Sequence, residues 1–168
     1  MIFLTVGTQF PFDRLVRAVD EAAGENGFNE KIIAQIGDDS YCPKNFEAVS
    51  ALDKAAFDKH FCQADSIISH AGMGTIMMAL EQKKPLLVMP RLRKYGEVVN
   101  NHQFAIAEKF EQLGYLLVAH RAEDVPVKIE MLSSFVPRER RPKANVVAGR
   151  ISAFLSEMSE SPNGSKRD

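Results

Sequence analysis

The stretch 69–75 reads Ser-His-Ala-Gly-Met-Gly-Thr and lies between two apolar runs, 66–68 and 76–80. His70, Gly72, Met73, Gly74 and Thr75 therefore fall where a strand gives way to a helix. Two chemistries fit such a place. The free amides of a helix start, with the helix dipole behind them, attract an anion such as a phosphate. Glycines there let the ligand approach the backbone closely. Alternatively, the glycines make a plain tight turn and Thr75 helps to cap the helix. A dinucleotide fingerprint is disfavoured, because Met77 holds its third glycine position and the motif follows a late strand rather than the first. His70, at the strand end, either orients a ligand or caps the turn.

Three further groups could act with this one. Gly7, Thr8 and Gln9 follow the first apolar run and precede a helix, so they form either a second anion loop or an ordinary turn. Asn100, Asn101, His102 and Gln103 follow a proline-ended strand. Their amide and imidazole groups suit the paired donors and acceptors of sugar hydroxyls, and they equally suit a solvated helix start capped by Asn100 or Asn101. Glu81 and Glu97 could each bind a ribose diol or a sugar hydroxyl, although Glu81 could as easily pair with Lys83 or Lys84. The basic cluster 91–94, Arg-Leu-Arg-Lys, follows a strand end and could meet a diphosphate, an acidic sugar or anionic lipid headgroups; a solvated basic loop is the simpler reading. His60 and His120 read as surface histidines. No Ser-His-Asp order, metal-ligand spacing or P-loop motif stands out.

The elements that must position these residues are legible from periodicity. Residues 2–6 are β-branched and apolar and end at Gly7, as a buried strand does. Pro11 stands where a first helical turn begins. Phe12, Leu15, Val16 and Val19 then recur at helical spacing through 12–23, with Gly24 and Gly27 to close the helix. A strand is expected over 31–37, a loop with a short strand near Phe46 over 38–49, and a helix over 54–64. A strand over 65–72 leads into a helix over 74–84 that Pro85 stops. The continuous apolar run 86–90 suits a strand covered on both faces. A polar loop over 91–100, a helix over 101–113, a strand over 115–119 and a helix over 122–135 follow. A last helix over 143–158 and a polar tail over 159–168, expected to be disordered, complete the chain.

Strands alternate with helices throughout, which argues for one α/β domain over 1–158 with a parallel sheet and helices on both faces. Ligands of such sheets bind beyond the carboxyl ends of the strands, so the turns at Gly7 and at Gly72 and Gly74 should share one edge. Composition narrows the function classes. The 168 residues carry 21 basic and 22 acidic side chains and a formal net charge of -1, a poor basis for general nucleic-acid binding. The two cysteines, Cys42 and Cys62, suggest neither a disulfide framework nor a zinc site. The start, MIFLTVG, is too short and uncharged for a signal peptide, and no apolar run nears the roughly 20 residues of a membrane-spanning helix. A cytoplasmic chain is expected, touching a membrane only through a partner or a surface patch.

Taken together, the order V-G-T-Q-F, S-H-A-G-M-G-T, A-L-E-x-x-K-P-L-L-V-M-P-R and G-E-V-V-N-N-H-Q resembles the C-terminal, donor-binding half of family 28 glycosyltransferases over about residues 1–120. It is most similar to the short bacterial subunits of exopolysaccharide and capsule glycosyltransferases. It also resembles the catalytic subunit of the eukaryotic UDP-GlcNAc transferase that adds the second sugar of the lipid-linked oligosaccharide. The resemblance implies a Rossmann-like half of a GT-B enzyme that binds a UDP-sugar without an essential metal or other cofactor. By position, Gly72, Met73, Gly74 and Thr75 would hold the diphosphate, Gly7, Thr8 and Gln9 would close over it, and Gln103 with His102 or Asn100 would read the sugar. The glutamate that binds ribose in larger members falls on Met78 here, with Glu81 one turn later and Glu97 as another replacement. The resemblance further implies a separate, membrane-anchored partner subunit that binds a lipid-linked sugar acceptor and supplies the general base. A non-catalytic UDP-sugar-binding or scaffolding subunit is the rival reading, which Met78 favours.

Overall fold

The computed structural model describes residues 1–139 apart from Gln9, Asn26, Gly27, Asp39 and Ser40. The helix expected over 143–158 and the tail over 159–168 lie outside the described residues, as does the expected closing role of Gly27.

Six parallel strands form one sheet. They are β1 (Ile2–Thr5), β2 (Ile32–Gln35), β3 (Glu47–Val49), β4 (Ser66–His70), β5 (Leu86–Met89) and β6 (Leu117–Val118), in the spatial order β3-β2-β1-β4-β5-β6. Among the described residues five α-helices connect and follow them: α1 (Asp13–Ala23), α2 (Lys54–Gln63), α3 (Met73–Glu81), α4 (His102–Gln112) and α5 (Val125–Leu132). Every element expected over residues 1–135 is present. The polar loop over 91–100 contains a short 3-10 turn at Arg93–Tyr95, and a second such turn at Ala122–Asp124 precedes α5.

The period of two along each strand explains why both faces are covered. Ile2, Leu4 and Val6 point to one side with Ile32, Ala34, Ile68, Leu87 and Met89, and pack under Leu15, Val16 and Val19 of α1 and Ile129 and Leu132 of α5. Phe3, Ile67, Leu86 and Val88 point to the other side, under Phe61 of α2, Ile76 and Ala79 of α3 and Ala107 of α4. Each fully buried Leu, Ile or Phe side chain contributes about 2 kcal/mol of hydrophobic stabilisation before entropy is counted. The helix ends carry local signals too. The Asp53 carboxylate accepts the Ala56 amide at 2.7 Å and so caps α2.

The strand order reverses direction between β1 and β4. The chain runs from β1 outward through β2 to β3, then returns to place β4 on the other side of β1 and continues to β6. At such a switch point the loops leaving adjacent strands diverge, and a crevice opens between them at the carboxyl ends. In register, Thr5 of β1 lies between Gln35 of β2 and Ser69 of β4, and His70 lies beside Met89 of β5. The loops that follow Thr5, His70 and Met89 therefore meet above the centre of the sheet.

Candidate functional site

A cavity of about 390 Å³ occupies that crevice, within the size range of small-molecule sites. Its wall includes Gly7 and Thr8 after β1, His70, Gly72, Gly74 and Thr75 after β4, and Asn100, His102 and Gln103 at the start of α4. Three motifs separated by up to about ninety-five residues in sequence thus share one wall. Phe10, Arg91, Val98 and Val99 complete it on the loop side.

The glycines have distinct reasons. Gly7 has φ +78°, a left-handed conformation that costs little only for glycine. An added Cβ there would also lie 3.0 Å from Cε1 of His70. At Gly72 the added Cβ would lie 2.3 Å from Nε2 of His70, so the imidazole needs the missing side chain. Gly74 faces open space. Gly72 is also the N-cap of α3, with no side-chain cap and no acidic residue in the first turn. Thr75 accordingly does not cap the helix, and the first-turn amides remain available to a ligand.

His70 is held from beneath. The Ser69 hydroxyl donates to the Thr5 carbonyl at 2.6 Å and lies 3.2 Å from Nδ1 of His70. Burial, followed by the charge of Arg91, pushes the His70 pKa down to about 4, against a smaller opposing effect of the Thr5 carbonyl. The ring is therefore neutral at physiological pH.

Arg91 departs from the solvated-loop reading of 91–94. It is 2% exposed, while Arg93 and Lys94 are exposed as expected. Its guanidinium donates to the carbonyls of Val6 and Phe10, tying the β5 loop to the β1 loop, and lies 4.8 Å from the Phe12 ring centroid. A residue two positions past a central buried strand sits below the surface, and that position is the signal that could have singled it out. The Gln103 side-chain carbonyl accepts the Arg91 amide at 3.1 Å, which directs its NH2 end to the cavity. The other amides of the motif are similarly employed. Asn100 Oδ1 accepts from the backbone amide and Nδ1 of His102, and Asn101 Oδ1 accepts the Arg93 amide at 2.9 Å. The motif both starts α4 and lines the cavity.

Three residues of the sequence reading stand apart from this wall. Met73 is 42% exposed and faces outward. Glu81 is exposed on the last residue of α3; Lys83 pairs instead with Glu139, and Lys84 donates to the carbonyls of Cys62 and Ala64. Glu97 is bound by Arg14 through bonds of 2.8 and 2.9 Å and by the Leu92 amide, so it staples its own loop. Met78 packs partly buried against the α2–α3–α4 side of the core. Gln9 lies outside the described residues. Of the two histidines read as surface, His120 bonds Glu111, while His60 is half-buried and stacks on Phe3 at 5.9 Å. No cluster of three metal-ligating side chains occurs among the described residues, and none of their helices is long and apolar enough to cross a membrane.

A doubly wound parallel sheet with its crevice at the β1–β4 switch point is the architecture of one half of a GT-B glycosyltransferase. Solved structures agree. Acinetobacter baumannii MurG superposes with a TM-score of 0.63 at 17% identity, covering 93% of this chain and 49% of that one. The solution structure of ALG13 superposes with a TM-score of 0.57 at 20% identity, covering 89% and 93%. At those identities the likeness shows the fold. Residues 1–154 match the glycosyltransferase family 28 C-terminal domain, and the chain belongs to that family. Among curated proteins it is similar to the UDP-N-acetylglucosamine transferase subunit ALG13 of Mus musculus, 33% identical over 141 residues, which is 77% of this chain and 12% of that protein. The Homo sapiens protein of the same name is 34% identical over 125 residues, 68% of this chain and 10% of its own length. The chain thus spans about a tenth of the length of these relatives.

Proposed function

We propose that this chain is the UDP-sugar-binding, catalytic subunit of a two-chain glycosyltransferase, moving a hexosyl group to a lipid-linked acceptor in exopolysaccharide biosynthesis. The observation that carries the reading is the convergence of the Gly7 and Gly72 turns with Gln103 and His102 on one cavity at the switch point. The diphosphate would lie against the first-turn amides of α3, where the helix dipole and N–H groups favour an anion. Gly7 and Thr8 would close over it, and the Gln103 amide and His102 would meet the sugar. Departure of UDP then needs its developing charge stabilised by donors already in place, which the α3 amides supply.

The described part of the cavity wall carries two imidazoles and a guanidinium but no carboxylate. We place the general base for the acceptor hydroxyl in a second chain, membrane-anchored and acceptor-binding, as the family resemblance implies, with this chain cytoplasmic and peripheral to the membrane through it. Met78, at the position where larger members of the family carry the ribose-binding glutamate, favours a second reading, a UDP-sugar-binding or scaffolding subunit without chemistry of its own. The relatives' name makes UDP-N-acetylglucosamine the first donor to test.

Two measurements separate these readings. UDP and UDP-N-acetylglucosamine at about 1 mM are expected to raise the thermal midpoint, as any ligand of the native state does, and NAD is not. Equal protection by NAD, or none by any nucleotide, overturns UDP-sugar binding. Radiolabelled sugar transfer to a lipid-linked acceptor by the chain co-expressed with its acceptor-type subunit supports catalysis; binding without transfer supports the second reading.

A further inference from the structure

Resting on that reading, we propose that His70 takes up a proton when a UDP-sugar binds, because Ser69 and Thr5 lock its ring with the resting proton on Nδ1. The lock follows from counting protons. The Thr5 carbonyl can only accept, so the Ser69 proton is committed to it across 2.6 Å. The proton between Ser69 Oγ and His70 Nδ1, 3.2 Å apart, must then belong to the imidazole.

Nε2 is left as a bare acceptor against the Gly72 turn on the cavity wall, with no hydrogen-bond donor to it among the described residues. A diphosphate oxygen at the α3 start would face that lone pair, acceptor to acceptor. Turning the ring does not relieve the clash without loss, since it takes Nδ1 away from the Ser69 hydroxyl oxygen 3.2 Å from it. Protonation at Nε2 from solvent does. It turns the acceptor into a charge-assisted donor toward the anion. The other titratable groups around the ring are Arg91 on the β5 loop and His102 at the start of α4; β1, its loop as far as Thr8 and the first turn of α3 supply none. Arg91 disfavours the imidazolium in the free cavity, as does burial. An incoming diphosphate opposes Arg91's field at the ring, so ligand and proton favour each other.

UDP-N-acetylglucosamine is a suitable probe because both of its phosphates are esterified and neither titrates near neutrality. Calorimetric titration of the full chain at pH 7, in buffers of different ionisation enthalpy, is expected to report net proton uptake. Affinity should rise as pH falls from 8 to 6, by up to about tenfold per unit. His70→Gln keeps an amide donor near the Nε2 position but cannot titrate, so it should bind without uptake and with a flat pH profile. His102→Gln, whatever its affinity, should retain the uptake per ligand bound. Nitrogen-15 NMR of the free chain should find His70 in the Nδ1–H tautomer. Binding without proton uptake, an unchanged pH profile in His70→Gln, loss of uptake in His102→Gln instead, or a resting Nε2–H tautomer would each overturn the inference while leaving UDP-sugar binding in place. No binding at any pH would overturn the parent reading and this inference with it.

Discussion

Two clusters of buried polar groups lie on opposite sides of β1, and they differ in how much hydrogen-bonding capacity the chain itself uses. Asp20, on the inner face of α1, is 2% exposed. Its carboxylate accepts the Tyr41 hydroxyl at 2.6 Å, the Lys44 amide at 2.9 Å and the Asn45 amide at 2.8 Å, and its own carbonyl accepts the Asn45 side chain. This cluster is saturated and pins the 41–45 loop to the helix. The cavity cluster is half-used. Ser69, Thr5 and Arg91 are committed to one another's loops, yet Nε2 of His70, the Gln103 NH2 and the first-turn amides of α3 all point where the chain offers no partner among the described residues. Burying polar groups is expensive unless they are paired. A saturated cluster therefore marks architecture, and the half-used one, open to the cavity, is where the proposed UDP-sugar would complete the pairing.

The largest effect that distinguishes them is on stability. Asp20→Ala strips three acceptor bonds and leaves buried amides unmet, so a loss of about 3 kcal/mol is expected. It should appear as a lower urea midpoint with UDP-sugar affinity of the folded fraction unchanged. A variant that unfolds normally but binds poorly would erase the distinction between the clusters.

Next in size is the reverse case. Gly74→Asp puts a carboxylate in the first turn of α3, where the helix dipole tolerates or favours it, and no described atom lies within 4 Å of the new Cβ. The fold should stand, while UDP-sugar affinity falls by about 2 kcal/mol, or roughly thirtyfold, through like-charge repulsion. Gly72 and Gly74 look equivalent in sequence, and a pair of alanine variants separates them. Gly72→Ala displaces the His70 ring and should weaken binding about tenfold, near 1.4 kcal/mol. Gly74→Ala should be neutral or gain up to about 1 kcal/mol in stability, since alanine is the better helix former. Titration of both variants by calorimetry, with melts alongside, decides the point.

These contrasts mark where the sequence is readable. Strand–helix alternation forces the Gly7 and Gly72 turns onto one edge, and a parallel sheet leaves their loops no other place to meet. The cavity's main wall was therefore legible from periodicity and spacing, with Asn100, His102 and Gln103 joining it because α4 starts just after β5's loop. What escaped depends on contacts far apart in the chain. Arg91 looks like one charge in a basic loop until carbonyls more than eighty residues earlier accept its protons. Nothing local to α1 marks Asp20, whose carboxylate is buried because the loop some twenty-five residues later folds over it. Glu97 looked free to meet a ribose until Arg14, 83 residues away, claimed it. Local pattern predicts which backbone lies at the edge; side-chain burial and pairing there are set by which distant loop arrives.

The effect that is smallest near neutrality is a pH dependence that assigns each cluster its own window. For His70 the folded pKa, about 4, lies below the unfolded value near 6.5. The unfolded chain therefore binds the extra proton, and stability falls as pH drops from about 6.5 toward 4. Between pH 7 and pH 6 the loss is under about 1 kcal/mol, and it steepens toward 1.4 kcal/mol per unit below that. For Asp20, burial pushes the carboxyl up, but the bonds from Tyr41, Asn45 and Lys44 outweigh it and hold the pKa below its ordinary value. Its contribution is therefore intact above about pH 4 and is lost as pH falls through the folded pKa. Urea midpoints of the ligand-free chain measured across pH 7 to 3 should show the two losses in succession. His70→Gln should flatten the first and leave the second; Asp20→Asn should do the reverse. A saturating UDP-sugar should shrink the first window alone, because the bound diphosphate raises the pKa of the group that the free cavity keeps neutral. Equal shrinkage of both windows would mean that the ligand acts on the fold as a whole rather than on the half-used cluster.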